Sequence, residues 1–223
     1  MNAALFRRLF FVLVPLALAV AMWPHPAGGD PVFEGVSPDV DEWKFVHVAL
    51  LLFFPFLGIA VFWLLNGLTG VAATVSRVAM IFFLVFYTAY EVTIGVGTAY
   101  LVDYANGLPP GEQAVVADAI QEYNRNAVTA EPASISMIVG FFGWVVALVA
   151  AAIAFRKAGA SWPITLLVGG AALFAIHPPP IGTVGLASFA AAALLIERWR
   201  AREARAALAS PTPAGPEPAA SAT

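Results

Sequence analysis

Six apolar stretches alternate with short polar links, and the basic residues gather on every second link. The stretches are Leu9–Trp23, Phe45–Leu65, Val78–Val102, Ala133–Phe155, Trp162–Ile176 and Thr183–Ile196. A helix rises about 1.5 Å per residue, so roughly 20 residues cross a hydrocarbon layer of about 30 Å. The second, third and fourth stretches reach that length. The others are shorter and need flanking residues or a locally thinned bilayer. None alternates apolar with polar residues as a barrel strand does. The expected fold is all-α: a polytopic transmembrane bundle of six spans over residues 1–200, followed by a disordered cytoplasmic tail at 201–223. That tail is rich in Ala, Pro, Ser and Thr and poor in large apolar residues, so it lacks the surface that offsets ordering entropy.

Orientation follows from the links. Arg7, Arg8, Arg77, Arg156, Lys157, Arg198, Arg200, Arg202 and Arg205 lie on one side, leaving only Lys44 and Arg125 on the other. Positively charged links stay in the cytoplasm, which places both termini there, in a bacterial-type inner membrane. Composition agrees: 61% of residues are hydrophobic and 11% charged, too few charges to cover a water-soluble domain of this size. The first span has a second reading. Two arginines, an apolar run and Ala19-Val20-Ala21 also suit a cleavable signal, which leaves five spans.

The outer links are acidic. Ser37 or Asp39, with Glu42, offers a capping pattern for the second span. In the link from Asp103 to Glu131, Val115, Val116, Ala119, Ile120 and Tyr123 recur at helical spacing opposite Glu112, Asp118, Glu122 and Arg125. This predicts a short amphipathic helix on the outer membrane surface or capping the bundle.

Glu91 stands near the middle of the third span, where an ionised carboxylate is costly. Tyr87, Thr88, Tyr90 and Thr98 surround it at helical or adjacent spacing. Together they form a candidate proton or cation site; the structural alternative is a neutral carboxylic acid joining two helices. The three histidines, His25, His47 and His177, all fall on the outer side. His47 and His177 come from different spans at similar depth, a candidate pair for haem iron or a divalent metal. Counting residues along straight helices separates His47 from Glu91 by about 13 Å along the membrane normal, so one metal shared by these two is not expected.

Gly140, Gly143, Ala147 and Ala151 present a small-residue face for close helix packing, within the chain, in a homo-oligomer or with a partner subunit. There is no cysteine, which excludes disulfides and thiolate metal ligation. No nucleotide loop, zinc-protease motif or nucleophile elbow is present, and no basic face suits nucleic acid. The leading expectation is non-enzymatic: a structural, accessory or partner-binding membrane subunit with no cofactor. The alternatives are a proton- or cation-coupled transporter or channel working through Glu91, and a haem or metal protein built on His47 and His177.

Overall fold

The computed structural model describes residues 3–131 and 133–209. It is helical over 81% of its length, with no strand among the described residues. Among the described residues seven helices follow in order: α1 (Ala3–Ala21), α2 (Val32–Leu64), α3 (Val71–Asn106), α4 (Pro110–Tyr123), α5 (Ile135–Lys157), α6 (Trp162–Gly170) and α7 (Ile181–Ala209). Four of them, α2, α3, α5 and α7, are long and apolar enough to cross a membrane, with 33, 36, 23 and 29 residues. The other two apolar helices are shorter. α1 has 19 residues, and α6 has nine before tightening into a 3₁₀ turn over Ala171–Ala175.

Several boundaries differ from the sequence expectation. α2 takes no side-chain cap from Asp39; a helical turn from Val32 and a 3₁₀ turn over Ser37–Asp39 lead directly into it. Arg77, expected in an inner link, already lies inside α3. Its guanidinium donates to the carbonyls of Leu65 and Leu68 at 2.8 and 3.0 Å, tying α3 to the turn that follows α2. At the other terminus α7 runs to Ala209, so residues 201–209 are helical and not disordered. Ala, Arg, Glu and Leu fill that stretch, all strong helix formers. The rest of the expected tail, 210–223, lies outside the described residues.

The core is aromatic and small-residue in turn. Phe54, Phe83, Trp144, Phe174 and Phe189 are fully enclosed, and Trp144 satisfies its indole N–H on the Ala171 carbonyl at 3.0 Å. Gly140 lies against the backbone of Tyr87 and Gly143 against that of Phe83. Ser76 donates to the Ala147 carbonyl at 2.7 Å. The small-residue face of α5 therefore joins α3 within the chain. α1 is integral to this core through Phe11 and Leu18, with Met22 just beyond its end, all fully buried.

The two ends close differently. At the end where α1 begins and α7 passes Glu197, Arg7 pairs with that buried carboxylate at 2.6 Å. Arg200 donates to the carbonyls of Leu64 and Asn66. At the other end α4 caps the bundle through a small separate core of Val36, Val102, Ala105 and Ile120. Val115, expected on the buried stripe of α4, is exposed instead. Between the ends Leu52, Val85, Phe142 and Leu166 point outward, more than half exposed.

Candidate metal centre

Three chain segments bring the histidines together beneath the cap. His25 follows α1 in a turn whose N–H reaches back to the Met22 carbonyl at 3.0 Å, with Pro24 and Pro26 on either side. His47 lies in the second turn of the apolar part of α2 and is buried. His177 ends the α6 segment, where three prolines stop the helix. One nitrogen from each ring lies within 4.8 Å of the other two. The His25 and His177 Nε2 atoms are 3.1 Å apart.

Each ring is held by its far nitrogen. His25 Nδ1 is 2.7 Å from the Pro26 carbonyl, and His47 Nδ1 is 2.7 Å from the Trp43 carbonyl. A carbonyl only accepts, so both rings carry a proton on Nδ1 and turn the Nε2 lone pair inward. His177 Nδ1 faces the Tyr87 hydroxyl at 2.9 Å, which both donates and accepts. His177 has two arrangements in consequence. With its proton on Nε2 it donates to His25 Nε2 and accepts from Tyr87. With the proton on Nδ1 it donates to Tyr87, which turns its own hydrogen to the Ala175 carbonyl at 3.4 Å. The second arrangement aims three lone pairs at one region, which a cation stabilises. Burial favours the uncharged, ligating form. It holds the His25 imidazole below its usual pKa, and it holds His177 well below, with His25 and His47 adding to the shift.

Glu91 closes the cluster from beneath. Its side chain is completely enclosed, and neither carboxyl oxygen has a hydrogen-bond partner among the described residues. Oε2 lies 3.6 Å from His47 Nε2, and Oε1 lies 3.9 Å from His177 Nδ1. The separation of about 13 Å expected from straight helices is therefore wrong. α3 is π-helical over Phe83–Tyr87 and again over Glu91–Gly97. Wider turns advance less per residue than the α-helical count assumes. The Trp43 indole N–H reaches the Gly95 carbonyl at 3.1 Å, and a Cβ at Gly95 would collide with the His47 ring. Glycine at 95 thus lets α2 lie against the widened helix, with His47 directly above Glu91.

The other residues of the expected Glu91 site do not bond to its carboxyl. No hydrogen bond joins Thr88, Tyr90 or Thr98 to the carboxyl among the described residues. Thr98 donates to Asn124 Oδ1 at 3.0 Å, tying α3 to the cap. Tyr90 lines, with Trp43, Thr98 and Asn124, a cavity of about 370 Å³. His25 and Trp43 are site residues that the sequence expectation did not include. The signal for His25 was its place on the same side as His47 and His177; nothing local distinguishes Trp43.

Comparison with protein-family models, curated proteins and solved structures finds no match. The chemistry must come from the geometry itself. Three imidazoles this close together could hold a single metal ion. For the expected haem pair, His47 and His177, a third ring intrudes: His25 Nε2 lies 3.1 Å from His177 Nε2.

Proposed function

We propose that this chain is an integral membrane metalloprotein. It binds one first-row transition-metal ion through Nε2 of His25, His47 and His177 at the outer end of its bundle. The observation carrying this reading is the convergence of three buried or half-buried imidazoles, each anchored through Nδ1. Metal-binding histidines almost always have that outer hydrogen bond, because it fixes ring orientation and tautomer.

In this reading the host membrane is a bacterial-type inner membrane, with both termini cytoplasmic and α1 and α6 completing six membrane segments. The side-specific arginines support that orientation. The outward apolar side chains support lipid as the surrounding medium. α1 is retained: cleavage after Ala21 would strip Phe11 and Leu18 from the core, and with them the Arg7–Glu197 pair. The metal reading takes precedence over an accessory subunit without a cofactor, because packing alone gives no reason to gather three imidazoles. The small-residue face is used inside the chain, so it offers no ready surface for an oligomer.

Transport through Glu91 is the second reading, favoured by its buried carboxyl. Against it, the enclosed rings of Phe54, Phe83, Trp144 and Phe174 pack next to Tyr87 and give no polar continuation toward the opposite face. Metal analysis of the purified protein separates the readings. One ion per chain is expected in the natural sequence, falling to background in His25→Ala, His47→Ala and His177→Ala. Equal metal content in all four preparations would reject the proposal.

A further inference from the structure

We infer that Glu91 is the fourth ligand of this centre, which makes it a closed three-nitrogen, one-oxygen site for a divalent ion. The inference rests on the metal centre proposed above and adds to it the donor that decides which ions the site accepts.

Distance supports direct ligation. Donors 2.0–2.1 Å from a tetrahedral ion lie about 3.3 Å from one another. The His25–His177 nitrogen pair at 3.1 Å and the His47–Glu91 pair at 3.6 Å fall on either side of that value. Glu91 adjoins the histidine set through His47, while the three imidazoles alone lie within 4.8 Å of one another, so ligation draws the carboxylate inward toward the His25 and His177 nitrogens.

Enclosure supports it further. A carboxyl acting through a bridging water needs space for that water and two to four polar partners around it. Glu91 has no accessible surface, and both oxygens are unpartnered. A buried polar group left unpaired costs about 1–3 kcal/mol, and such groups in native proteins call for a specific explanation. A bound cation supplies one. The carboxylate also helps the ion: a dication held by three neutral imidazoles keeps its full double charge in an apolar bundle, and Glu91 halves it.

The ion class follows. An oxygen donor with three imidazoles suits Zn²⁺, Co²⁺ or Fe²⁺, whereas Cu(I) prefers softer ligands and gains little from a carboxylate. With four protein donors the site resembles closed structural centres more than catalytic ones, which keep a position for water or substrate. Such an ion would tie the His25 turn, α2, α3 and the His177 turn into one rigid outer end.

Titration with Co²⁺ tests this, because cobalt absorbs visible light according to its coordination. The natural sequence should bind one Co²⁺ with the intense bands of a four-coordinate ion. Glu91→Gln should bind at least tenfold more weakly, with shifted and weaker bands. A Glu91→Gln protein with unchanged affinity and spectrum would overturn the inference while leaving the three-histidine centre standing. No Co²⁺ uptake by the natural sequence, with Zn²⁺ also excluded, would overturn both. Should the glutamine variant fail to fold, the unsubstituted protein still decides. Infrared difference spectra between Zn²⁺-loaded and metal-free samples should gain a metal-bound carboxylate, and spectra without any carboxylate change would count against ligation.

Discussion

Tyr87 illustrates how much of the site depends on a single hydrogen bond. Its hydroxyl faces His177 Nδ1 and the Ala175 carbonyl, so it leaves His177 the choice of the ring arrangement that frees Nε2. Tyr87→Phe keeps the buried ring and removes only that choice. Loss of such an outer partner typically lowers metal affinity 10–100-fold. Competition against a chromophoric chelator should show a drop in that range with little change in helical content; equal affinity would mean that Tyr87 does not orient His177. Gly95 acts by what it lacks. Gly95→Ala places a methyl group into the His47 ring, and overpacking of this kind costs about 1–3 kcal/mol. Its thermal midpoint in detergent should fall, and metal affinity should fall with it. At this scale the sequence was partly legible. Glu91, Tyr87, His47 and His177 stood out by chemistry or position, but their convergence did not, because it depends on backbone geometry that no single residue encodes.

That geometry belongs to the helices. The π-helical segment of α3 over Glu91–Gly97 has no proline or turn signature in the sequence, and residue counting along an ideal helix left out both its shorter rise and the reach of the two side chains. The apolar runs themselves were easy to find, since burial in a bundle or in lipid demands them. Their ends were harder. Arg77 looked like a link residue yet lies inside α3 and ties it to the turn that follows α2, and the 201–209 stretch looked like tail yet extends α7. The Arg7–Glu197 pair offers a test at this scale, because it joins the first helix to the last. Arg7→Ala leaves Glu197 buried beside an empty place and should cost about 1–3 kcal/mol, the range for a lost charged hydrogen bond. The double replacement Arg7→Met with Glu197→Leu should recover most of that loss, since apolar substitutes for a buried pair are often neutral. Chemical denaturation in detergent measures both. A double variant no better than the single would show that the pair's worth lies elsewhere than in partnering the buried carboxylate.

The molecule as a whole reads as a bundle with two unlike ends. Arginines and backbone carbonyls close one end, while histidines, a carboxyl and a capping helix close the other. The side-specific charges carry the proposed orientation, and fusion of reporters to each terminus should place both in the cytoplasm; an external terminus would reverse the proposed side of the metal site. Binding in the folded state alone also raises stability. Free Zn²⁺ at about 100 times its dissociation constant should add roughly 2.7 kcal/mol, visible as a higher thermal midpoint that the His25→Ala, His47→Ala, His177→Ala triple variant does not show. The most direct measurement of the central claim is X-ray absorption on the Zn²⁺-loaded protein in lipid. The account predicts three imidazole nitrogens at about 2.0–2.1 Å from the ion, with the outer-shell scattering of histidine rings. A shell of oxygen neighbours without that imidazole signature would contradict it.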